Sequence, residues 1–219
     1  MKKIVLIHAS RAAVDPVTQY YATSAPEWEL TNLLDDGVMR MLRSGDMDAA
    51  SGRLADMLSL ARRTYQADVA LLTCSAVPIE RLEELRRHAG MPILKIDEPM
   101  CNDAIAAGSR IGVITSFPPT SATTRGLLAE AASRAGKKIE IVEELVPEAL
   151  EALLAGDEAT HDTKLLQSAE RLAAKNPEVV VLAQVSMARL TPQVAVRVTV
   201  PVFSSLASSL DAVRAILIG

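Results

Sequence analysis

Cys74 is the residue best placed to do chemistry. It stands in Thr73-Cys74-Ser75-Ala76-Val77-Pro78, after the apolar run VALLT (69–73) and before a helical pattern whose first turn Pro78 suits. A thiol at a helix start meets unpaired amides and the positive end of the helix dipole, which favour the thiolate. Comparable settings lower a cysteine pKa from about 8.5 into the range of roughly 3.5 to 7.5. Thr73 and Ser75 flank it with hydroxyls able to bind a carboxylate or cap the helix. A small buried cysteine that closes a strand fits the same positions. The other cysteine, Cys101, lies in DEPMCNDAI (97–105), which reads as a helix start holding a buried structural thiol. Two cysteines without C-x-x-C spacing supply neither a disulfide framework nor a metal site, and His8, His88 and His161 are scattered.

His8 ends the run KIVLI (3–7) and titrates near neutrality, so it is a candidate second acid/base or, with Ser10, a substrate contact. A histidine that ends a strand and bonds to backbone is the alternative. In RIGVITSFPPTSATT (110–124), Thr115, Ser116, Thr120 and Thr124 follow an apolar strand, where hydroxyls and amides at a helix start can hold a carboxylate; ordinary Ser/Thr/Pro loop chemistry reads equally well. Arg11 and Arg189 are the cations nearest to strand ends. The sequence contains no G-x-x-x-x-G-K-[ST], no G-x-G-x-x-G after a strand and no G-x-S-x-G, so nucleotide phosphates and hydrolase triads lack support. ERLEELRRH (80–88) reads as a solvated helix face.

These residues sit at the ends of strands. Apolar, β-branched runs recur at 3–7, 69–73, 92–96, 110–115, 138–142, 179–183 and 200–203, with helical stripes between them. One stripe is Leu54, Met57, Leu58, Ala61 and Tyr65. Residues 79–89 form another and end at Gly90; Leu127, Leu128, Ala131 and Ala135 precede Gly136, a natural C′ residue. Leu165, Leu166, Ala169, Leu172 and Ala173 form a further stripe, and Leu210, Val213 and Leu217 follow Ser208 and Ser209, which can cap. The class is α/β with parallel strands and crossover helices.

The chain also repeats itself. KIVLIHAS (3–10) parallels RIGVITSF (110–117), ADVALLTCSAVP (67–78) parallels PEVVVLAQVSMA (177–188), and GMPILKID (90–97) parallels TVPVFSSL (199–206), at offsets of 107 to 110 positions. We therefore expect two similar α/β lobes related by a pseudo-twofold, 1–97 plus 208–219 and 98–207. In such sheets ligands bind beyond the carboxyl ends of the strands, which places the active-site cleft between the lobes among His8 to Ser10, Thr73 to Ser75, Thr115 to Ser116 and Gln184 to Ser186. Residues 12–46 are irregular: PEWELTNL alternates like a strand, VMRML reads as a short helix, and together they form an edge or lip.

Composition narrows the partners. The 219 residues carry 23 Lys+Arg against 27 Asp+Glu, a net charge of −4, with 3% aromatic residues. That leaves neither a basic stripe for phosphates nor platforms for bases, so nucleic acid is not expected. The opening apolar run stops at His8, short of the roughly 7 to 15 residues of a secretory h-region, and no run approaches the ~18 of a membrane span. A cytoplasmic location away from membranes is the expectation.

The Thr73-Cys74-Ser75 loop, VVVLAQVSMARL (179–190), RIGVITSFPPTSATT and the repeat together resemble the Asp/Glu racemase superfamily, which includes aspartate, glutamate and hydantoin racemases, maleate isomerase and arylmalonate decarboxylase. The likeness runs through most of the chain. It implies a cofactor-independent enzyme acting on a small carboxylate, and a homodimer or higher homo-oligomer. Members use two cysteines, one from each lobe, on opposite faces of a carbon next to a carboxylate. Here Cys74 matches the first, and the second falls on Gln184. An amide cannot abstract a proton, so Gln184 is expected to donate a hydrogen bond to a developing oxyanion or a carboxylate. Ser186, two residues on, is a poor base unless activated. The resulting expectation is racemisation or isomerisation through a single cysteine. Decarboxylation of a malonate-like acid and non-catalytic binding of a small acid are the alternatives.

Overall fold

The computed structural model describes residues 1–218. The chain divides into two compact units, Met1–Ile96 together with the residues from Ser209 onward, and Asp97–Ser208. In the first unit, β1 (Lys2–His8) leads through a 3-10 turn (Arg11–Ala13) into α1 (Val14–Ser24). Then follow β2 (Trp28–Leu34), α2 (Gly37–Ser44), α3 (Met47–Arg63), β3 (Val69–Leu72), α4 (Ile79–Ala89) and β4 (Ile93–Lys95). The second unit contains α5 (Glu98–Ala107), β5 (Arg110–Thr115), α6 (Pro118–Arg134), β6 (Glu140–Leu145), α7 (Pro147–Leu154), α8 (Glu158–Ala173) and β7 (Val179–Leu182). A 3-10 turn (Val185–Leu190), α9 (Thr191–Val198) and β8 (Val202–Ser204) follow, and α10 (Ser205–Ile218) runs from the second unit into the first.

Each unit holds a four-stranded, all-parallel sheet, in the orders β2-β1-β3-β4 and β6-β5-β7-β8. This is the expected α/β class with parallel strands. The central strands are buried on both faces, which is why VALL and VVVL are continuous apolar runs without alternation. The edge strand β2 has no fully buried residue and keeps its alternating sequence.

The register makes the duplication exact at the level of strands. Ile7 pairs with Leu72 and Leu72 with Lys95 in the first sheet, as Ile114 pairs with Leu182 and Leu182 with Ser204 in the second. Counting on from these pairs, His8 corresponds to Thr115, Cys74 to Gln184 and Lys95 to Ser204.

Helix ends follow their local chemistry. Asp46 caps α3 by accepting from Ala49 N at 3.1 Å, and Asp157 caps α8 by accepting from Thr160 N at 3.0 Å. Gly90 ends α4 at φ +62°, the left-handed region that glycine enters without a Cβ penalty. A Cβ there would also lie 2.0 Å from Arg62 Nη1.

Several boundaries differ from expectation. Tyr65 lies beyond the end of α3 and is partly exposed, while Leu54, Met57, Leu58 and Ala61 form its buried stripe. The last helix starts at Ser205, so Ser208 and Ser209 do not cap it: Ser208 Oγ donates to Asp103, and Ser209 Oγ accepts from Tyr21 Oη at 2.9 Å. Residues 12–46 supply β2 and α2 as expected, and also α1, whose polar sequence VDPVTQYYATS buries only Val17 and Tyr21. PEALEALL folds as α7, a helix too short to show a full stripe.

Candidate active site

The sequence after β3 makes one tight turn before it becomes helical. Cys74 precedes a tight turn at Ser75 and Ala76, Pro78 occupies the N-cap with extended backbone (φ −61°, ψ 152°), and α4 begins at Ile79. The thiol therefore stands at the strand tip, five positions before Ile79, and Pro78 is the N-cap of the helix where the sequence suggested a residue of its first turn. ψ near 150° at Pro78 is not helical, so the helix begins at Ile79, and the turn at Ser75 and Ala76 separates it from the thiol. Cys74 is 6% exposed, and Thr73 and Ser75 are buried beside it. Cys101 is buried on α5. Neither cysteine is in a disulfide.

His8 is fully buried at the end of β1. Its Nε2 lies 2.9 Å from Asn32 Oδ1 and its Nδ1 2.9 Å from Thr73 Oγ1. An amide oxygen only accepts, so Nε2 carries the hydrogen, and the single Thr73 hydroxyl hydrogen has two acceptors within reach, His8 Nδ1 and Ile7 O at 3.1 Å. Burial lowers the imidazole pKa below 6.5 by more than the bond to Asn32 raises it. His8 is thus a tether between β1, β2 and the β3 tip, joined through side chains where the sequence suggested backbone. Ser10 is turned to a local task, accepting from Ala12 N at 3.3 Å at the start of the 3-10 turn.

One residue went unnoticed in the sequence. Lys95, at the end of the apolar run PILKI, is fully buried, and its ammonium donates to Ser75 O at 3.2 Å. The available signal was a lysine at the carboxyl end of an otherwise apolar strand, since lysine is almost never fully buried without a partner.

In the second unit Gln184 follows β7 and is half-buried. Its Oε1 accepts from Ser116 N at 2.7 Å and from Ser116 Oγ at 2.9 Å, joining the tips of β5 and β7. With the oxygen so occupied, the chemistry left to the side chain is that of the Nε2 donor. Thr115 is fully buried; its Oγ1 accepts from Phe117 N at 3.3 Å and shapes the turn into α6. Thr120 is buried in the first turn of α6, where its carbonyl accepts from Thr123 Oγ1 at 3.1 Å. Thr124 is fully buried, and its Oγ1 has no hydrogen-bond partner among the described residues. Ser186 is half-buried in the 3-10 turn.

The structure thus gathers His8, Thr73, Cys74, Ser75 and Lys95 at the carboxyl edge of one sheet, and Thr115, Ser116 and Gln184 at that of the other. Arg189 is held in ion pairs with Asp162 and Glu158 of α8. A groove of about 560 Å³ between α3 and α4 contains none of these residues, and Arg81 on its wall pairs with Asp48 and Glu84. Among the described residues no cluster of His, Cys, Asp and Glu could hold a metal ion, and no helix is long and apolar enough to cross a membrane.

Known structures share this fold over almost the whole chain. Allantoin racemase from Klebsiella pneumoniae is 19% identical with a TM-score of 0.75, covering 100% of this chain and 88% of its own. Glutamate racemase isoform RacE1 from Bacillus anthracis is 14% identical with a TM-score of 0.77, covering 99% and 82%. Arylmalonate decarboxylase is 18% identical with a TM-score of 0.57, covering 98% and 92%. No curated protein matches the sequence. The Asp/Glu/hydantoin racemase family model matches residues 11–213, nearly the full length, and the chain belongs to that family.

Proposed function

We propose that the protein is a cofactor-independent enzyme that works next to a carboxylate of a small amino or organic acid through Cys74. The observation that carries this reading is the pairing of strand tips by the repeat: a buried thiol ends β3, and an amide with its oxygen already engaged ends β7. In the reaction, the Cys74 thiolate removes the proton from the carbon α to the carboxylate. Gln184 Nε2 donates a hydrogen bond to the oxygen on which charge develops; return of the proton by the thiol gives exchange with retention, and delivery of a proton from water to the opposite face, with the thiol's proton lost to solvent, inverts the centre. The Ser116 contacts fix the Gln184 oxygen and so aim the donor. Ser186 is proposed to belong with Cys74 and Gln184 to the catalytic set, and the hydroxyls of Thr115, Ser116 and Thr120, with His8, Ser10, Thr73 and Ser75, to shape and line the substrate's surroundings.

Racemisation or isomerisation is the first reading, as in the allantoin and glutamate racemases that share the fold. Loss of carbon dioxide from a malonate-like acid is the second. It is favoured by Gln184, because protonating a carbanion takes one proton donor and an amide cannot serve as the second base. The protein is proposed to be cytoplasmic and to act as a homodimer or higher homo-oligomer.

The test is proton exchange in heavy water with both enantiomers of glutamate and aspartate, with allantoin, and with an arylmalonate. One of these should gain deuterium at the reacting carbon, and Cys74→Ala or iodoacetamide treatment should abolish the uptake. A folded Cys74→Ala protein with undiminished turnover would refute the mechanism. Saturable binding of an acid without any exchange or carbon dioxide release would assign the protein to storage or sensing.

A further inference from the structure

Lys95 is a fully buried lysine at the tip of β4. Burying an ammonium removes it from water at a large cost, which only charged or strongly polar surroundings offset. The duplicated sheet shows that a cation is not needed at this place: the corresponding residue on β8 is Ser204, half-buried and neutral. The lysine thus accompanies the unit with the thiol and is absent from the unit with the amide. It reaches the carbonyl of Ser75, the residue directly after Cys74, at 3.2 Å. It also stands at the carboxyl end of its strand, the edge at which parallel sheets bind ligands.

We propose that Lys95 is a positioning residue for Cys74, fixing the Thr73–Pro78 turn through the Ser75 carbonyl and bringing its amino group to the base of that turn. A cation close to a thiol in low-dielectric surroundings favours the thiolate. The other titratable groups at this edge do not do the same work. His8 on β1 is buried, and burial lowers its pKa below the ordinary 6.5. Asp97, two residues after Lys95, is a buried carboxyl group and cannot supply a cation. The inference rests on Cys74 being the reactive group.

The test is the pH dependence of Cys74 alkylation by iodoacetamide, followed by mass spectrometry, in the full chain and in Lys95→Met, Lys95→Gln and Lys95→Arg. We expect Lys95→Met and Lys95→Gln to raise the alkylation midpoint by about one unit and to slow the reaction at pH 7 about tenfold, with Lys95→Arg retaining much of the wild-type rate. A purely structural lysine would lower the melting temperature and leave the midpoint where it was. An unchanged midpoint in folded Lys95→Met overturns the proposal, as does failure of all three variants to fold. A wild-type midpoint at or above about 8.5 instead sinks the reading of Cys74 itself, so the two failures are distinguishable.

Discussion

In the proposed mechanism Gln184 has two separable tasks, and two substitutions divide them. Gln184→Glu keeps an acceptor oxygen for Ser116 N and Ser116 Oγ, at 2.7 and 2.9 Å in the native side chain, and replaces the Nε2 donor with a second acceptor. Gln184→Leu fills a similar volume and removes both functions. Ser116 is 1% exposed, so in Gln184→Leu its backbone N–H loses its partner with little access to water. A buried donor left unsatisfied costs about 1–3 kcal/mol, whereas the hydroxyl can rotate to another acceptor. Taking about 2 kcal/mol and about 2–4 °C per kcal/mol for a chain of this size, Gln184→Leu should melt about 4–8 °C below wild type. Gln184→Glu should melt within about 2 °C of wild type, since its anchoring bonds persist and become charge-assisted. Activity should separate differently. Both variants lack the donor, and loss of one such donor lowers kcat by about 10²–10³. Gln184→Glu should in addition raise KM for a carboxylate substrate by charge repulsion. The assays are differential scanning calorimetry and deuterium uptake at the reacting carbon. If Gln184→Leu melts with wild type, the anchoring argument fails. If Gln184→Glu retains full kcat, the donor argument fails.

Two further outcomes follow from burial. His8 has a folded pKa below its ordinary 6.5, so the unfolded chain binds more protons as pH falls through that value. The stability it confers is complete above about pH 6.5 and is lost at lower pH, and urea midpoints measured from pH 7.5 to 5 should fall less steeply in His8→Asn; equal slopes would refute this. Gly112→Ala would set a Cβ 2.9 Å from Leu172 Cδ2 and 3.1 Å from both Pro177 Cβ and Val180 Cγ2 in the β5–α8 core. Such overpacking should cost about 1–3 kcal/mol by chemical denaturation, and an unchanged midpoint would show that this core yields freely.

The sequence by itself determined the strands, most helices and the repeat, because each rests on local periodicity. Continuous runs such as VALL and VVVL encode strands covered on both faces, and Gly90 and Gly136 encode helix ends through their backbone freedom. It also singled out Cys74 and Gln184, since the offset between two copies can be counted along the chain. The tertiary structure alone decided what the side chains do at the strand tips. That Gln184 accepts from Ser116 across 68 positions, that His8 is held between Asn32 and Thr73, and that Lys95 is buried against Ser75 are consequences of parallel pairing. Parallel pairing brings together strand ends that lie far apart in sequence. Period and propensity act over a few residues, whereas a buried charge is defined by neighbours that only the closed sheet supplies.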